Sequence, residues 1–150
     1  MMNGGCLFVG MGSPYGDDCV GWVIARSIAG RLGDEFTVRC ARSPAVLLDW
    51  LDNFDELHVC DAFVGNGAVG TLRGWDWPAE EIELARFQGS HDLSLPAALA
   101  LAAQLGRLPA KVRVWGVAVG DHASFDSMSA VIAARASEIV DQICGALGHA

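Results

Sequence analysis

The stretch Gly10–Trp22 reads GMGSPYGDDCVGW. Before it runs the strand-like segment CLFVGMG, Cys6–Gly12. After it, Val20, Val23, Ile24, Ser27, Ile28 and Leu32 keep the three-, four- and seven-residue spacing of one helix face. A buried strand, a glycine turn and a helix in that order open a parallel α/β sheet. Such turns often cradle phosphate, because a helix N-terminus offers free N–H groups and the positive end of a dipole. Here Asp17 and Asp18 already fill that position with negative charge. Gly10, Gly12 and Gly16 spell GxGxxxG, not the GxGxxG of a dinucleotide fold, and no lysine follows Gly16 as a P-loop needs. The acidic turn therefore argues against a nucleotide. Capping of the helix, worth about 0.5–2 kcal/mol, accounts for one aspartate but not for two.

The same alternation continues outward. Gly33 ends the first helix, and FTVRCA, Phe36–Ala41, is a second strand. Ser43 as cap and Pro44 at the first helical position start a helix in SPAVLLDWLD. ELHVCDAFV, Glu56–Val64, is a third strand, with Asp61 closing it. AVGTLRGWDW and IELARF read as two extended pieces that pair with each other. QGSHDLSL is a loop before a helix whose apolar face is Leu95, Ala98, Leu99, Ala102 and Leu105, stopped by Gly106. Lys111–Val119 is a late strand. A long amphipathic helix from about Ser127 carries Met128, Val131, Ile132, Arg135, Ile139, Ile143 and Leu147. The pattern predicts one three-layer α/β domain over residues 1–150, a mostly parallel twisted sheet with helices on both faces.

Composition narrows the class. The 150 residues are 52% hydrophobic and 19% charged, which suits one well-cored domain. No apolar run is long enough to span a membrane, and no basic segment precedes the first strand as in a signal peptide, so the expected compartment is the cytoplasm. The net charge of −8, with no cluster of lysine and arginine, argues against nucleic acid. Cys6, Cys19, Cys40, Cys60 and Cys144 form no CxxC pair and read as free thiols, those at 6, 40 and 60 in buried strands.

In a parallel sheet, sites form at the carboxyl ends of the strands. Asp18, Asp61 and His91 all fall there. Each has an ordinary reading: Asp18 as a cap, Asp61 as a turn-former, His91 beside a cap supplied by Ser90 or Asp92. Together they make two carboxylates and an imidazole, a ligand set for zinc, nickel or a similar cation that leaves positions open for water or substrate. Asp17 stands behind them as a supporting residue or as the helix cap. Cys19 is either a packed thiol or a reactive thiolate at the helix start.

GMGSPYGDDCVGW, CDAFVGNGAVGTL and GSHDLSLPAALALAAQLGRLP resemble, in that order, the three signature blocks of the hydrogenase maturation proteases. The resemblance covers Phe8 to Val119. It departs from the common pattern at Ser13 and Cys19. It implies an endopeptidase, metal-dependent or aspartic-type, that removes the C-terminal extension of a nickel–iron hydrogenase large-subunit precursor. It places Asp18, Asp61 and His91 at the family's metal-binding positions, where they complete the coordination of the substrate's nickel or hold a metal of their own, such as zinc. Pro14, Tyr15, Trp22 and Phe63 would line a groove for the tail. The partner is that precursor, with no nucleic acid, no membrane and a monomeric chain. The alternative is a metal-sensing or chaperone-like partner that binds the precursor without cutting it.

Overall fold

Every residue of the first strand, β1 (Cys6–Met11), is buried, and its side chains alternate between two cores. The computed structural model describes residues 5–14, 16–65, 68–87, 93–120 and 128–148. A 3-10 turn (Gly16–Cys19) leads from β1 into α1 (Val20–Ala29), followed by β2 (Phe36–Ala41), a 3-10 segment (Pro44–Asp49), β3 (Glu56–Val64), β4 (Leu72–Asp76), α2 (Glu80–Leu84), β5 (Arg86–Phe87), α3 (Leu95–Gln104), β6 (Lys111–Ala118) and α4 (Ala130–Ala146). The sheet order is β2-β1-β3-β6-β4. The first four of these strands are parallel, β4 is antiparallel to β6, and β5 pairs antiparallel with the end of β3.

Helices α1 and α4 cover one face, closing over Phe8, Cys60, Ala62, Trp115 and Val117. The segment Pro44–Asp49, Ile82 of α2, and α3 cover the other, closing over Leu7, Val9, Val59 and Val114. Each large aliphatic side chain fully buried this way contributes about 1.5–3 kcal/mol. The expected three-layer, mostly parallel domain is what forms. Among the described residues no helix is long and apolar enough to cross a membrane.

Several local expectations are corrected. The buried face of α1 is Val20, Gly21, Ile24, Ala25 and Ile28, so Ser27 is exposed, and the helix stops at Ala29 rather than Gly33. Hydrophobic spacing missed this because the contact is made by small residues. A Cβ on Gly10 would stand 2.2 Å from the Gly21 carbonyl oxygen, and one on Gly12 would stand 2.2 Å from that of Asp18. The glycines of the opening stretch therefore let helix backbone lie directly on strand backbone. Gly16 adds a positive φ of 55° that turns the chain into the helix.

Pro44–Asp49 is a 3-10 segment, and Ser43 makes no side-chain cap. AVGTLRGWDW and IELARF do not pair: β4 adds to β6, while the second piece begins in helix α2 and ends in β5 on β3; the first turn of α2 holds Glu80, Glu81 and Glu83, where the helix dipole favours acids. Leu105 is left exposed just beyond α3, and Val131 is exposed on α4. The cysteines are free, but Cys40 is only half-buried.

Candidate active site

From β1 the chain passes to β2 on one side and then to β3 on the other, so the connections diverge between β1 and β3. That divergence opens a crevice at the carboxyl ends of the two strands. Pairing of β1 with β3 ends at Gly10 and Cys60, while pairing of β3 with β6 continues to Phe63 and Ala118. Asp61 is thus the first residue of β3 beyond its last β1 partner. It does not close the strand, as expected from sequence, because β6 holds β3 extended to Phe63 and β5 to Val64. The glycine turn closes over the same gap: Ser13 N–H donates to the Asp18 carbonyl at 3.1 Å, and Gly12 N–H donates to the Ala41 carbonyl at 3.0 Å.

Asp61 is 2% exposed, and its Oδ1 accepts the Ala62 N–H at 2.8 Å. Burial pushes its carboxyl well above the usual carboxylate range, and the charge of Asp18 pushes the same way. The Ala62 hydrogen bond opposes both only in part. Asp18, half-buried on the 3-10 turn, is therefore an electrostatic neighbour of Asp61. Two carboxylates that resist simultaneous ionisation suit a bound cation or a shared proton.

Asp17 does something else. Its Oδ1 accepts the Ser129 N–H at 2.6 Å, tying the turn to the residue that precedes α4. It is a structural tether across 112 positions of chain rather than the cap of its own helix. Cys19 sits at the N-cap of α1 but is not activated: burial, then Asp17, pushes its thiol up. The helix end that should lower it is outweighed by burial and by the two carboxylates.

His91 lies outside the described residues, as does Tyr15. Before His91, the last described residue is Phe87, paired with Phe63, which lies two residues past Asp61; the described residues resume at Leu93. The cap of α3 is Ser94, which accepts from Ala97 N–H at 3.3 Å, so the capping role sought at Ser90 or Asp92 falls to Ser94. Phe63 does not line a groove. It is 3% exposed and packs edge-on to Trp75 at 5.6 Å and against Phe87 at 6.3 Å. Pro14 is exposed and Trp22 half-buried at the turn.

Sequence reasoning passed over a polar cluster at the opposite end of the sheet. Cys6, Glu56 and His58 bring potential ligand atoms within 4.8 Å of one another. Glu56 and His58 line a cavity of about 490 Å³ together with Asp76, Lys111 and Arg113. The hydrogen bonds argue against a metal there. Trp115 Nε1, a donor only, points at His58 Nδ1 at 3.0 Å, so the neutral imidazole carries its proton on Nε2, 2.5 Å from Glu56 Oε2. No ring lone pair is left for a cation, and burial, then Glu56, pushes the Cys6 thiol up to about 12.

Burial also pulls the His58 pKa below its usual value, with Glu56 opposing. As pH falls below about 6.5, the unfolded chain protonates first, and stability is lost until the folded pKa is passed. Each tenfold difference in proton affinity between the two states is worth about 1.4 kcal/mol. His58→Gln keeps a donor and an acceptor in place. Urea titrations should show wild type losing stability from pH 7 to 5 along a steeper slope than the variant; equal slopes would mean that His58 does not titrate with folding.

No protein-family model matches the sequence, and no curated protein matches it. Solved structures do. The chain is similar to the hydrogenase maturating endopeptidase HybD from E. coli, at 23% identity and a TM-score of 0.76 over 95% of this chain and 91% of that one. It is similar to an endopeptidase from Escherichia coli at 22% identity and a TM-score of 0.79, with the same coverage of 95% and 91%. It is similar to the NiFe hydrogenase maturation protease HycI from Thermococcus kodakarensis at 18% identity and a TM-score of 0.69, over 97% and 93%. With TM-scores of 0.69 to 0.79 over nearly the whole chain, this protein has the fold of the hydrogenase maturation endopeptidases.

Proposed function

We propose that the chain is an endopeptidase that removes the C-terminal extension of a nickel–iron hydrogenase large-subunit precursor, acting as a monomer in the cytoplasm. In this reading Asp18, Asp61 and His91 recognise the nickel carried by the substrate. One observation supports it above the rest: two carboxylates sit at the divergence point of the sheet, one of them buried, where a cation would relieve their mutual repulsion. The names of the structurally similar proteins supply the reaction and the substrate class.

The chain's own residues would act as follows. The glycine contacts between α1 and β1 hold Asp18 over the gap, and β6 holds Asp61 beneath it. Asp17 fixes the turn through Ser129, so neither carboxylate has to reorganise when substrate arrives. Asp18 and Asp61 would hold a divalent cation here, which when bound would supply Lewis-acid polarisation of the scissile carbonyl and a lowered pKa for bound water.

The test is the intact mass of nickel-loaded precursor after incubation with purified chain. The expected result is loss of a C-terminal peptide with wild type, and no loss with His91→Ala, with Asp18→Asn or with nickel-free precursor. Equal cleavage of nickel-free precursor would remove the metal from recognition. A stable complex without cleavage would make the chain a binding partner instead.

A further inference from the structure

Trp22 stands at the edge of the crevice and is fixed there. Its indole N–H donates to the Ala41 carbonyl at 3.0 Å, the same oxygen that accepts Gly12 N–H. Two guanidinium groups rest against this one ring: Arg26 from α1 at 5.5 Å from the centroid, and Arg42, just past β2, at 5.9 Å. A third, Arg39 on β2, lies 5.2 Å from the ring of Trp50. All three arginines are exposed. They surround an edge strand, for among the described residues β2 pairs only with β1.

Elsewhere in this acidic chain Arg31, Arg107, Arg113 and Arg135 each rest on a carboxylate. Among the described residues Arg26, Arg39 and Arg42 have no carboxylate within ion-pair distance. Their places over the indoles hold the guanidinium groups at this surface without engaging a carboxylate, and an arginine's planar N–H fork binds carboxylates in pairs of hydrogen bonds. The site beside them is acidic, so a peptide entering it gains from a cationic rim that draws its own acids away from Asp18 and Asp61.

We propose that Arg26 and Arg42 on Trp22, with Arg39 beyond them, form a docking rim for acidic side chains in the C-terminal region of the precursor. This rests on the processing reading above. Acidic side chains fit better than the single terminal carboxylate. The cations are divided between the two faces of β2: Arg26 and Trp22 belong to the α1 side, whereas Trp50 packs with the opposite core.

The test compares wild type with Arg26→Glu/Arg42→Glu, and with Arg26→Lys/Arg42→Lys as the conservative pair. Precursor binding and processing are both measured, at 50 and 500 mM salt. The expected result is a KM and a Kd raised about tenfold or more by the glutamates at low salt, little change in kcat, and partial retention by the lysines. The gap should close at high salt, where charges on the surface are screened. It should also close when acidic side chains in the precursor's C-terminal region are changed to amides. Unaltered KM, Kd and salt slope in a folded Glu/Glu variant would overturn the proposal and leave the protease reading standing. A gap that closes only when neutral residues are appended to the precursor's terminus would assign the rim to the terminal carboxylate and overturn it too. Binding that obeys the expected pattern without any cleavage would sustain the rim and remove the protease.

Discussion

Asp61→Asn should be more stable than wild type above neutral pH and should process precursor at least about a hundredfold more slowly. Both effects come from one buried carboxyl. Its folded pKa is raised, first by burial and then by Asp18, above the 3.8 of an ordinary aspartate. The unfolded chain therefore releases this proton at lower pH than the folded chain does. The stability contributed by the neutral acid is present below the unfolded pKa and is lost as pH rises through the folded one. Asparagine stays neutral throughout, and its side-chain oxygen can still accept the Ala62 N–H. Every tenfold by which folding tightens the carboxyl's hold on its proton is worth about 1.4 kcal/mol, or roughly 4 °C in Tm for a domain of this size. The variant's advantage should be smallest near pH 4 and should grow until it levels off above the folded pKa. In activity, an amide cannot supply the negative charge a cation requires, and losing one such preorganised group costs about 10²–10³ in rate. Thermal melts from pH 4 to 9 and the mass assay decide the matter together. A Tm difference independent of pH would show that Asp61 does not resist ionisation. Full processing by a stabilised variant would remove Asp61 from the site.

Gly21→Ala should lower Tm by roughly 3–10 °C and cut processing about a hundredfold. A Cβ there would lie 2.2 Å from the Met11 carbonyl oxygen and 2.7 Å from that of Cys60. Both are strand backbone at the edge of the crevice, and neither can rotate away as a side chain could. Helix α1 would have to lift by about an ångström, carrying Asp18 with it. Overpacking of this kind costs about 1–3 kcal/mol and sometimes more. A displacement of that size in a positioned group costs about two orders of magnitude in rate. Gly30→Ala serves as the control. Its added Cβ meets nothing closer than 3.7 Å and its φ is negative, so stability should stay within about 0.5 kcal/mol of wild type. Equal melting of Gly21→Ala and wild type would mean that the helix seats on the sheet some other way.

Much of this is already visible in the chain's patterning. Strands betray themselves as short apolar runs: FTVRCA and ELHVCDAFV form β2, half-buried at the sheet's edge, and β3, buried at its centre, over the ranges expected. Alternating strands and helices then require a parallel sheet, and a parallel sheet gathers its polar residues at the carboxyl edge. Asp18 and Asp61 stand out on that ground from the sequence alone. Short-range spacing fails where a contact is made by what a residue lacks. Gly10 and Gly21 have no side chain to enter a hydrophobic pattern, yet they decide how closely α1 lies on β1. It fails equally where partners are distant. Asp17 looks like a helix cap beside its twin, and only the approach of α4 hands its oxygen to Ser129. His58 looks like one polar residue in an apolar strand until Trp115, 57 positions away, brings the N–H that settles its tautomer. Local order, with its strands, helices and acidic turn, follows from backbone propensity and hydrophobic period, which act over a few residues. The role of each acid and imidazole depends on burial and on neighbours from other strands, and these exist only once the sheet has closed.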